Sequence, residues 1–211
     1  MSGVVGAGPV PARVTSAELR MLRADAVAAI YPRLADDEVI VVTIMGAVAV
    51  ELFQCGHRPN FFYLEHAMGL ASSLGLGIAL SLPHQPVVVI DGDGSLLMNL
   101  GTLSTLARYR PANLTHVVFD NESLLSVGGF PTATSTGSDL SAIARGAGIT
   151  NTGTYTTVED FASATRSAIA SGEMNSLVAK VEAVGPAGFH MDLELLENRF
   201  EFARALRPES S

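Results

Sequence analysis

The sequence predicts an α/β protein, a three-layer sandwich with a central parallel sheet, and three observations carry this prediction. Short apolar runs, unalternated as in strands buried on both faces, are rich in β-branched residues; they cover residues 38–43, 87–91, 116–120 and 177–181. Segments with apolar residues at helical spacing separate these runs. Strands that alternate with helices in this way form a parallel sheet with helices on both faces.

The predicted helices follow in order along the chain. Thr15 and Glu18 have the spacing of a capping box, so the first helix is expected to run from there to about Tyr31, where Pro32 intervenes. Further helices are expected over residues 46–53, 67–80, 95–109, 138–146, 157–170 and 192–206. The glycines and serines of residues 67–80 permit close packing against a sheet or a neighbouring chain.

The composition fits one domain and excludes several classes of protein. A chain of 211 residues that is 48% apolar can bury a full core, and we expect a flexible tail over residues 1–14 and a single domain over residues 15–211. A net charge of -8 without a basic tract argues against nucleic-acid binding. No apolar run reaches the ~20 residues of a membrane span, and the start lacks signal-peptide features. The single cysteine, Cys55, fits a cytoplasmic location.

The strongest chemical signal follows the second predicted strand, where residues 91–95 read Asp-Gly-Asp-Gly-Ser and open a helix. Ligands of such sheets bind beyond the carboxyl ends of the strands. Gly92 and Gly94 let a ligand approach the backbone, and the N–H groups of the following helix suit a phosphate. Asp93 would repel that anion unless a divalent cation lay between them. Taken alone, such a turn is common, and its alternative interpretation is an ordinary loop.

A second polar segment follows the next predicted strand, where Asn121 lies 28 residues after Asp93. A right-handed strand–helix–strand unit places the two strand ends side by side. Asn121 can then offer its amide oxygen to the same cation, and a carbonyl just beyond it can supply a third oxygen. The simplest ligand that fits is a diphosphate ester held through Mg²⁺.

These segments resemble a known motif. Gly-Asp-Gly at residues 92–94, followed after about 26 residues by Asp120 and Asn121, is similar to the thiamine diphosphate motif. A longer stretch, roughly residues 38–185, resembles the sulfopyruvate and phosphonopyruvate decarboxylases, most clearly over residues 62–63, 68–80, 91–101, 111–116, 128–129, 131–132 and 139–145. In length the chain resembles the β subunit of the split enzymes, which is the diphosphate-binding domain alone.

The resemblance implies residues for Mg²⁺ and for thiamine diphosphate at the matching positions. Mg²⁺ would be bound by Asp93, Asn121 and the carbonyl of Ser123. Met68 would be the apolar residue that wedges under the cofactor, and its alternative is a core methionine. The residues implied against the cofactor are His66 through its carbonyl, Met68, Gly92, Asp93, Gly94, Ser95, Asn121, Ser123, Leu124 and Leu125.

Glu65 and His66 are an unusual ionisable pair near the implied cofactor. As catalytic residues, they would transfer protons during the reaction. In the alternative interpretation, both lie at a surface or an interface and only form hydrogen bonds.

The resemblance also implies a reaction and a partner. The reaction is the thiamine diphosphate- and Mg²⁺-dependent decarboxylation of a small 2-oxoacid. In this family, the glutamate that activates the cofactor lies on a pyrimidine-binding domain, for which this chain has no room. We therefore expect a partner subunit of similar size, in an α2β2 or larger assembly, and residues 67–80 are a candidate contact surface.

The segment after Asn121 departs from the family pattern. It carries Leu124, Leu125, Val127 and Phe130 in place of tyrosine, glycine and polar residues. An apolar loop is a poor host for a sulfonate or a phosphonate, which need polar donors. The alternatives are therefore a carboligase or lyase subunit that acts on a more apolar 2-oxoacid, and a non-catalytic subunit that binds the cofactor.

Overall fold

The computed structural model describes residues 20–36 and 38–207. The predicted tail over residues 1–14 and the predicted capping box of Thr15 and Glu18 lie outside the described residues. The strands are β1 (Ile40–Ile44), β2 (Phe61–Leu64), β3 (Val87–Gly92), β4 (Leu114–Asp120), β5 (Ser123–Leu124), β6 (Phe130–Pro131), β7 (Asn151–Tyr155) and β8 (Asn175–Lys180). The α-helices are α1 (Arg23–Leu34), α2 (Ala47–Cys55), α3 (Ala71–Ser81), α4 (Asp93–Leu97), α5 (Gly101–Tyr109), α6 (Leu140–Gly146), α7 (Val158–Ala170) and α8 (Leu195–Ala205).

Six of the strands form one parallel sheet, in the order β2-β1-β3-β4-β8-β7. The other two, β5 and β6, form a short antiparallel hairpin beside it. Helices cover both faces of the sheet, so the predicted α/β sandwich with a central parallel sheet is confirmed. Every helix within the described ranges falls short of the length and apolar character that a membrane crossing requires.

Alternate residues of the central strands enter two separate hydrophobic cores. Val41, Val88 and Val117 pack with residues of α1, α2 and α7 on one face. Val42 and Val89 pack with residues of α3, α5 and α6 on the other. This double burial explains why the strand sequences are continuously apolar instead of alternating.

The carboxyl-terminal end of α1 differs from the prediction. The helix continues past Tyr31 and through Pro32 to Leu34, so the predicted end was wrong. A proline in the last turn removes only one hydrogen bond and projects its ring into solvent here, where Pro32 is exposed. Before the helix, Met21 forms a parallel bridge with Val181, so this part of the chain is extended and not helical.

Two other predicted helices are shorter or divided. The helix expected over residues 67–80 begins only at α3, because His66 and Gly69 adopt positive φ angles of 52° and 81° that interrupt a helix. The helix expected over residues 95–109 is two helices, α4 and α5, separated by a turn at residues 98–100. Met68 consequently lies in a turn that faces the carboxyl edge of the sheet.

The prediction missed β2, β7 and the β5–β6 hairpin. β2 and β7 are the two edge strands of the sheet. Since an edge strand is less enclosed than a central one, β7 has the polar sequence Asn-Thr-Gly-Thr-Tyr and carries no apolar run. β2 is a four-residue strand, too short to show a period.

The side chain of Asn198, in α8, covers the outer edge of β2. Its Nδ2 donates to the carbonyl of Phe61 at 2.8 Å, and its Oδ1 accepts the N–H of Tyr63 at 3.2 Å. These are the backbone groups that another strand would use. The fully buried Asn198 therefore ends the sheet at β2.

Gly75 brings α3 into direct contact with β3, so part of the helix predicted as a partner surface packs on its own sheet. A Cβ atom at Gly75 would lie 2.1 Å from Cγ2 of Val89. We expect Gly75→Ala to lower the free energy of unfolding by about 1–3 kcal/mol, measured by urea denaturation, because the buried contact must open.

Gly77 in the same helix provides the matched control. Nothing lies within 4 Å of a Cβ atom built there. We expect Gly77→Ala to raise the free energy of unfolding by up to about 1 kcal/mol, through helix propensity alone. Equal effects of the two substitutions would contradict this account of the packing.

Candidate active site

A cavity opens at the carboxyl edge of the sheet, where β1, β3 and β4 end. Nine residues selected from the sequence line it: Met68, Gly92, Asp93, Gly94, Ser95, Asn121, Ser123, Leu124 and Leu125. The register that pairs Gly92 with Phe119 brings the ends of β3 and β4 together, as the strand–helix–strand argument predicts. The remaining wall includes residues 44–48, which connect β1 to α2.

Asp93 follows β3 directly and is almost completely buried, with 3% of its surface exposed. Its Oδ2 accepts hydrogen bonds from Oγ1 of Thr132 at 2.5 Å and from Oγ1 of Thr134 at 3.2 Å. Burial raises the pKa of Asp93 to about 6, opposed by the Thr132 hydrogen bond and reinforced by the nearby Asp120 carboxylate. A cation beside this carboxyl group would favour its charged form.

Asn121 follows β4, in a turn that ion pairs hold in place. Its Oδ1 accepts the backbone N–H of Ser123 at 3.0 Å, and an amide oxygen has a second lone pair to offer. Glu122, with a φ of 57°, contacts Nζ of Lys180 at 2.8 Å and Nη2 of Arg20 at 2.7 Å. Burial alone would raise the pKa of Glu122, but the hydrogen bonds from Lys180 and Arg20 outweigh it and lower that pKa.

This donor set fits a hard divalent cation. The carboxylate of Asp93, the amide of Asn121 and nearby backbone carbonyls are oxygen ligands, which Mg²⁺ prefers. No group of three or more histidine, cysteine, aspartate or glutamate side chains within residues 20–36 and 38–207 could hold a metal ion.

The hairpin of β5 and β6 closes tightly over the start of α4. A Cβ atom at Gly94 would lie 2.3 Å from Cδ2 of Leu124, so a larger residue there would displace the Leu124 side chain. α4 itself has five residues, which reduces the helix-dipole contribution expected for a long helix at this position. Gly94 and Ser95 belong to α4 and line the cavity, so their backbone N–H groups are the donors that this turn could offer an anion.

The structure does not bring Glu65 and His66 into this cavity. Both are described, yet neither is among the residues that line it. The side chain of His66 is 90% exposed, and its Nε2 lies 3.8 Å from Oε2 of Glu65. Met68, two residues further on, is half-buried and does line the cavity. Proton transfer by His66 or Glu65 would therefore require a partner that covers this surface.

Sequence reasoning missed two features of the site. Arg23 lines the cavity and forms a buried ion pair with Glu51, with its Nε 2.7 Å from Oε2 and its Nη2 2.9 Å from Oε1. Since 28 residues separate the two in the chain, no local pattern indicates the pair. Thr132 and Thr134 were also missed as partners of Asp93, although Thr132 belongs to a segment that carries the family resemblance.

Comparison with known proteins agrees with this geometry. A family model described as "Thiamine pyrophosphate enzyme, C-terminal TPP binding domain" matches residues 44–179. Sulfopyruvate decarboxylase subunit beta from Methanocaldococcus jannaschii is 34% identical over 185 residues, which cover 88% of this chain and 97% of that protein. Phosphonopyruvate decarboxylase from Streptomyces viridochromogenes is 38% identical over 160 residues, which cover 76% of this chain and 39% of that protein.

Solved structures share the fold at lower sequence identity. The thiamine diphosphate-dependent 4-hydroxybenzoylformate decarboxylase of Rhodococcus jostii RHA1 is 20% identical with a TM-score of 0.64, over 83% of this chain and 35% of that chain. The benzoylformate decarboxylase of Polynucleobacter necessarius is 20% identical with a TM-score of 0.63, over 77% of this chain and 34% of that chain. The family match and the Methanocaldococcus jannaschii relative show that the chain belongs to the thiamine pyrophosphate enzyme family and carries its C-terminal cofactor-binding domain.

Proposed function

We propose that this chain is the β-type subunit of a thiamine diphosphate- and Mg²⁺-dependent enzyme that decarboxylates a small 2-oxoacid. The observation that carries the proposal is the cavity shared by Asp93, Asn121 and Ser123. A sulfopyruvate decarboxylase subunit that matches over 97% of its own length supports the reaction class. A phosphonopyruvate decarboxylase, 38% identical over part of its length, supports the same class.

Mg²⁺ is held, in this proposal, by the Asp93 carboxylate, the Asn121 amide oxygen and the Ser123 carbonyl. The burial of Asp93 and Asn121, which are 3% and 8% exposed, limits competition from bulk water. Three protein oxygens leave positions for diphosphate oxygens, which is the usual way in which Mg²⁺ joins a carboxylate to a phosphorylated ligand.

When bound, thiamine diphosphate supplies the carbon nucleophile for the keto carbon and stores the electron pair left by CO₂. The residues of this chain orient that group and exclude water from it. Met68, Gly92, Gly94, Ser95, Leu124 and Leu125 line the cavity. Met68 would support the cofactor, the turn of Gly92, Gly94 and Ser95 would hold its diphosphate, and Leu124 and Leu125 would exclude water. The carbonyl of His66, which lies outside the cavity lining, would accept a hydrogen bond from the pyrimidine ring.

A partner subunit completes the site. Among the described residues, the ionisable side chains that line the cavity are Arg23 and Asp93. Neither is a glutamate that could activate the pyrimidine ring, so that glutamate comes from a pyrimidine-binding subunit, in an α2β2 or larger assembly. Such a partner would also cover the exposed side chain of His66, where a proton-transfer role for His66 and Glu65 would then become possible.

A specific observation favours a second candidate, a decarboxylase or carboligase subunit for a 2-oxoacid with an apolar side chain. Leu124 and Leu125 line the cavity. The cavity's guanidinium group, that of Arg23, already pairs with Glu51 at 2.7 Å. The described residues therefore offer a sulfonate or phosphonate no uncommitted cation inside this cavity.

Native mass spectrometry of the chain, captured from its own cells with Mg²⁺ and thiamine diphosphate present, tests the proposal. We expect a complex with a second chain of similar size and the added mass of the cofactor. A chain that carries the cofactor without a partner would favour a non-catalytic binding subunit. A chain with neither would overturn the proposed function.

The purified complex then distinguishes the two candidates. It is supplied with a sulfonated, a phosphonated and an apolar 2-oxoacid, and CO₂ release and products are measured for each. Faster turnover of a charged substrate would support the first candidate. Turnover of the apolar acid to an aldehyde, or to a longer hydroxyketone, would support the second.

A further inference from the structure

We propose that Thr132 and Thr134 are positioning residues that hold the Asp93 carboxylate in the orientation required for a divalent cation. The inference rests on the proposed function, because it takes Asp93 as the ligand of Mg²⁺. It assigns a role to the hydroxyl groups of two threonines that directly follow the hairpin along the chain.

The contacts converge on one oxygen atom of Asp93. Oγ1 of Thr132 lies 2.5 Å from Oδ2 of Asp93, and Oγ1 of Thr134 lies 3.2 Å from the same atom. The two hydroxyl oxygens are 2.8 Å apart. All three side chains are buried, with exposed fractions of 3% for Asp93, 7% for Thr132 and 6% for Thr134. Both threonines contact Oδ2, so the proposal assigns the other oxygen, Oδ1, to the cation.

The number of protons that each hydroxyl group can donate distinguishes the roles of the two threonines. Each hydroxyl group has one proton to donate. Thr132 donates to Asp93 in the shorter contact. Thr134 also lies 2.8 Å from Oδ1 of Asp120, whose Oδ2 accepts from Lys180 at 2.9 Å. The single proton of Thr134 therefore favours the shorter contact, to Asp120, and Thr132 provides the main hydrogen bond to Asp93.

The same threonines belong to the segment that carries the other implied ligands. Asn121 and Ser123 stand at the beginning of the β5–β6 hairpin, and Ser123 pairs with Pro131 across it. The N–H of Thr132 donates to the carbonyl of Glu122 at 3.1 Å. The hairpin thus joins the ligands that follow β4 to the carboxylate that follows β3, through Thr132 and Thr134.

Binding of Mn²⁺ to the purified complex of this chain with its partner tests the inference, at saturating thiamine diphosphate and with the EPR signal of free Mn²⁺ as the readout. We expect Thr132→Val to raise the Kd for Mn²⁺ by roughly 10- to 100-fold, the range typical when a hydrogen-bond partner of a metal ligand is lost. Thr134→Val should raise it less, because its contact with Asp93 is longer. Thr132→Ser retains the hydroxyl and should stay within about threefold of wild type.

Thr136→Val is the matched control, because Thr136 is an exposed threonine of the same segment whose Oγ1 contacts the carbonyl of Ala133. Its Kd should equal that of wild type. If Thr132→Val fails to fold, as judged by circular dichroism, Thr132→Ala carries the same expectation.

Two results would overturn the inference alone: a folded Thr132→Val chain that binds Mn²⁺ as tightly as wild type, or a Thr132→Ser chain as weak as Thr132→Val. A wild-type complex that binds no Mn²⁺ would instead overturn the proposed function, and this inference with it.

Discussion

Asp93→Ala is expected to abolish Mg²⁺-dependent binding of thiamine diphosphate. The substitution removes the only carboxylate that lines the cavity among the described residues. The affinity should fall by more than the roughly 10- to 100-fold lost when only a hydrogen-bond partner of a ligand is removed. Isothermal titration of thiamine diphosphate, with and without Mg²⁺, measures the effect. Glu159→Ala, an exposed carboxylate in α7, is the control, and unchanged binding in Asp93→Ala would contradict the assigned site.

Without a metal ion, replacing Asp93 by asparagine is expected to stabilise the protein. Burial raises the pKa of Asp93 from 3.8 to about 6, so the folded state binds a proton more tightly than the unfolded state does. Stability therefore falls as pH rises from about 4 to about 6, by roughly 3 kcal/mol. We expect Asp93→Asn to melt at a higher temperature than wild type above pH 6 in EDTA, and to lose this advantage near pH 4. A lower melting temperature at pH 8 would contradict the expected cost of the buried charge.

Arg23→Met is expected to lower the free energy of unfolding by about 3–5 kcal/mol, because it leaves the carboxylate of Glu51 buried without its partner. The two side chains are 3% and 5% exposed and make two short contacts. Arg23 also donates to the carbonyl of Val184 at 3.0 Å. For a chain of this size, the loss corresponds to a melting temperature lower by roughly 6–20 °C.

A double variant separates the charge from the packing. Arg23→Met combined with Glu51→Leu removes both charges and should be much closer to wild type than either single variant, since buried ion pairs are often replaceable by apolar residues. The exposed pair of Arg33 and Asp36 is the control, where Arg33→Met should cost less than about 1 kcal/mol. A double variant as damaged as the sum of the single variants would contradict the ion-pair explanation.

The central sheet could be predicted from the sequence because burial on both faces leaves a clear signal. The runs that became β1, β3, β4 and β8 each hold at least three consecutive apolar residues, without the alternation of a half-exposed strand. Edge strands carry a weaker signal, since solvent or a single helix covers part of them. β7, with its glycine and threonines, is the clearest example.

The bounds of the helices were predicted less accurately, because they depend on local backbone conformation. The pattern over residues 67–80 is helical throughout, yet the chain turns at Gly69 before α3 begins. Small residues are compatible with both conformations, so the apolar spacing could not distinguish them. Pro32 did not end α1, which continues through it for two more residues.

In the candidate site, the sequence could predict which residues meet at the ends of neighbouring strands. It could not predict side-chain contacts between distant parts of the chain. Asp93 and Asn121 follow adjacent parallel strands, so topology alone places them together. The contacts between Thr132 and Asp93, and between Arg23 and Glu51, join parts of the chain that no periodicity relates. Such pairs become visible only when the hairpin and the first helix are packed in place.

The amide of Asn198 has a consequence for the behaviour of shortened chains. It satisfies the free backbone groups of Phe61 and Tyr63, and thereby denies other molecules a template for strand addition. A chain that ends before α8 would present this aromatic edge to its neighbours, and would self-associate into intermolecular β-sheet aggregates. The last helix therefore protects solubility as well as completing a hydrophobic core.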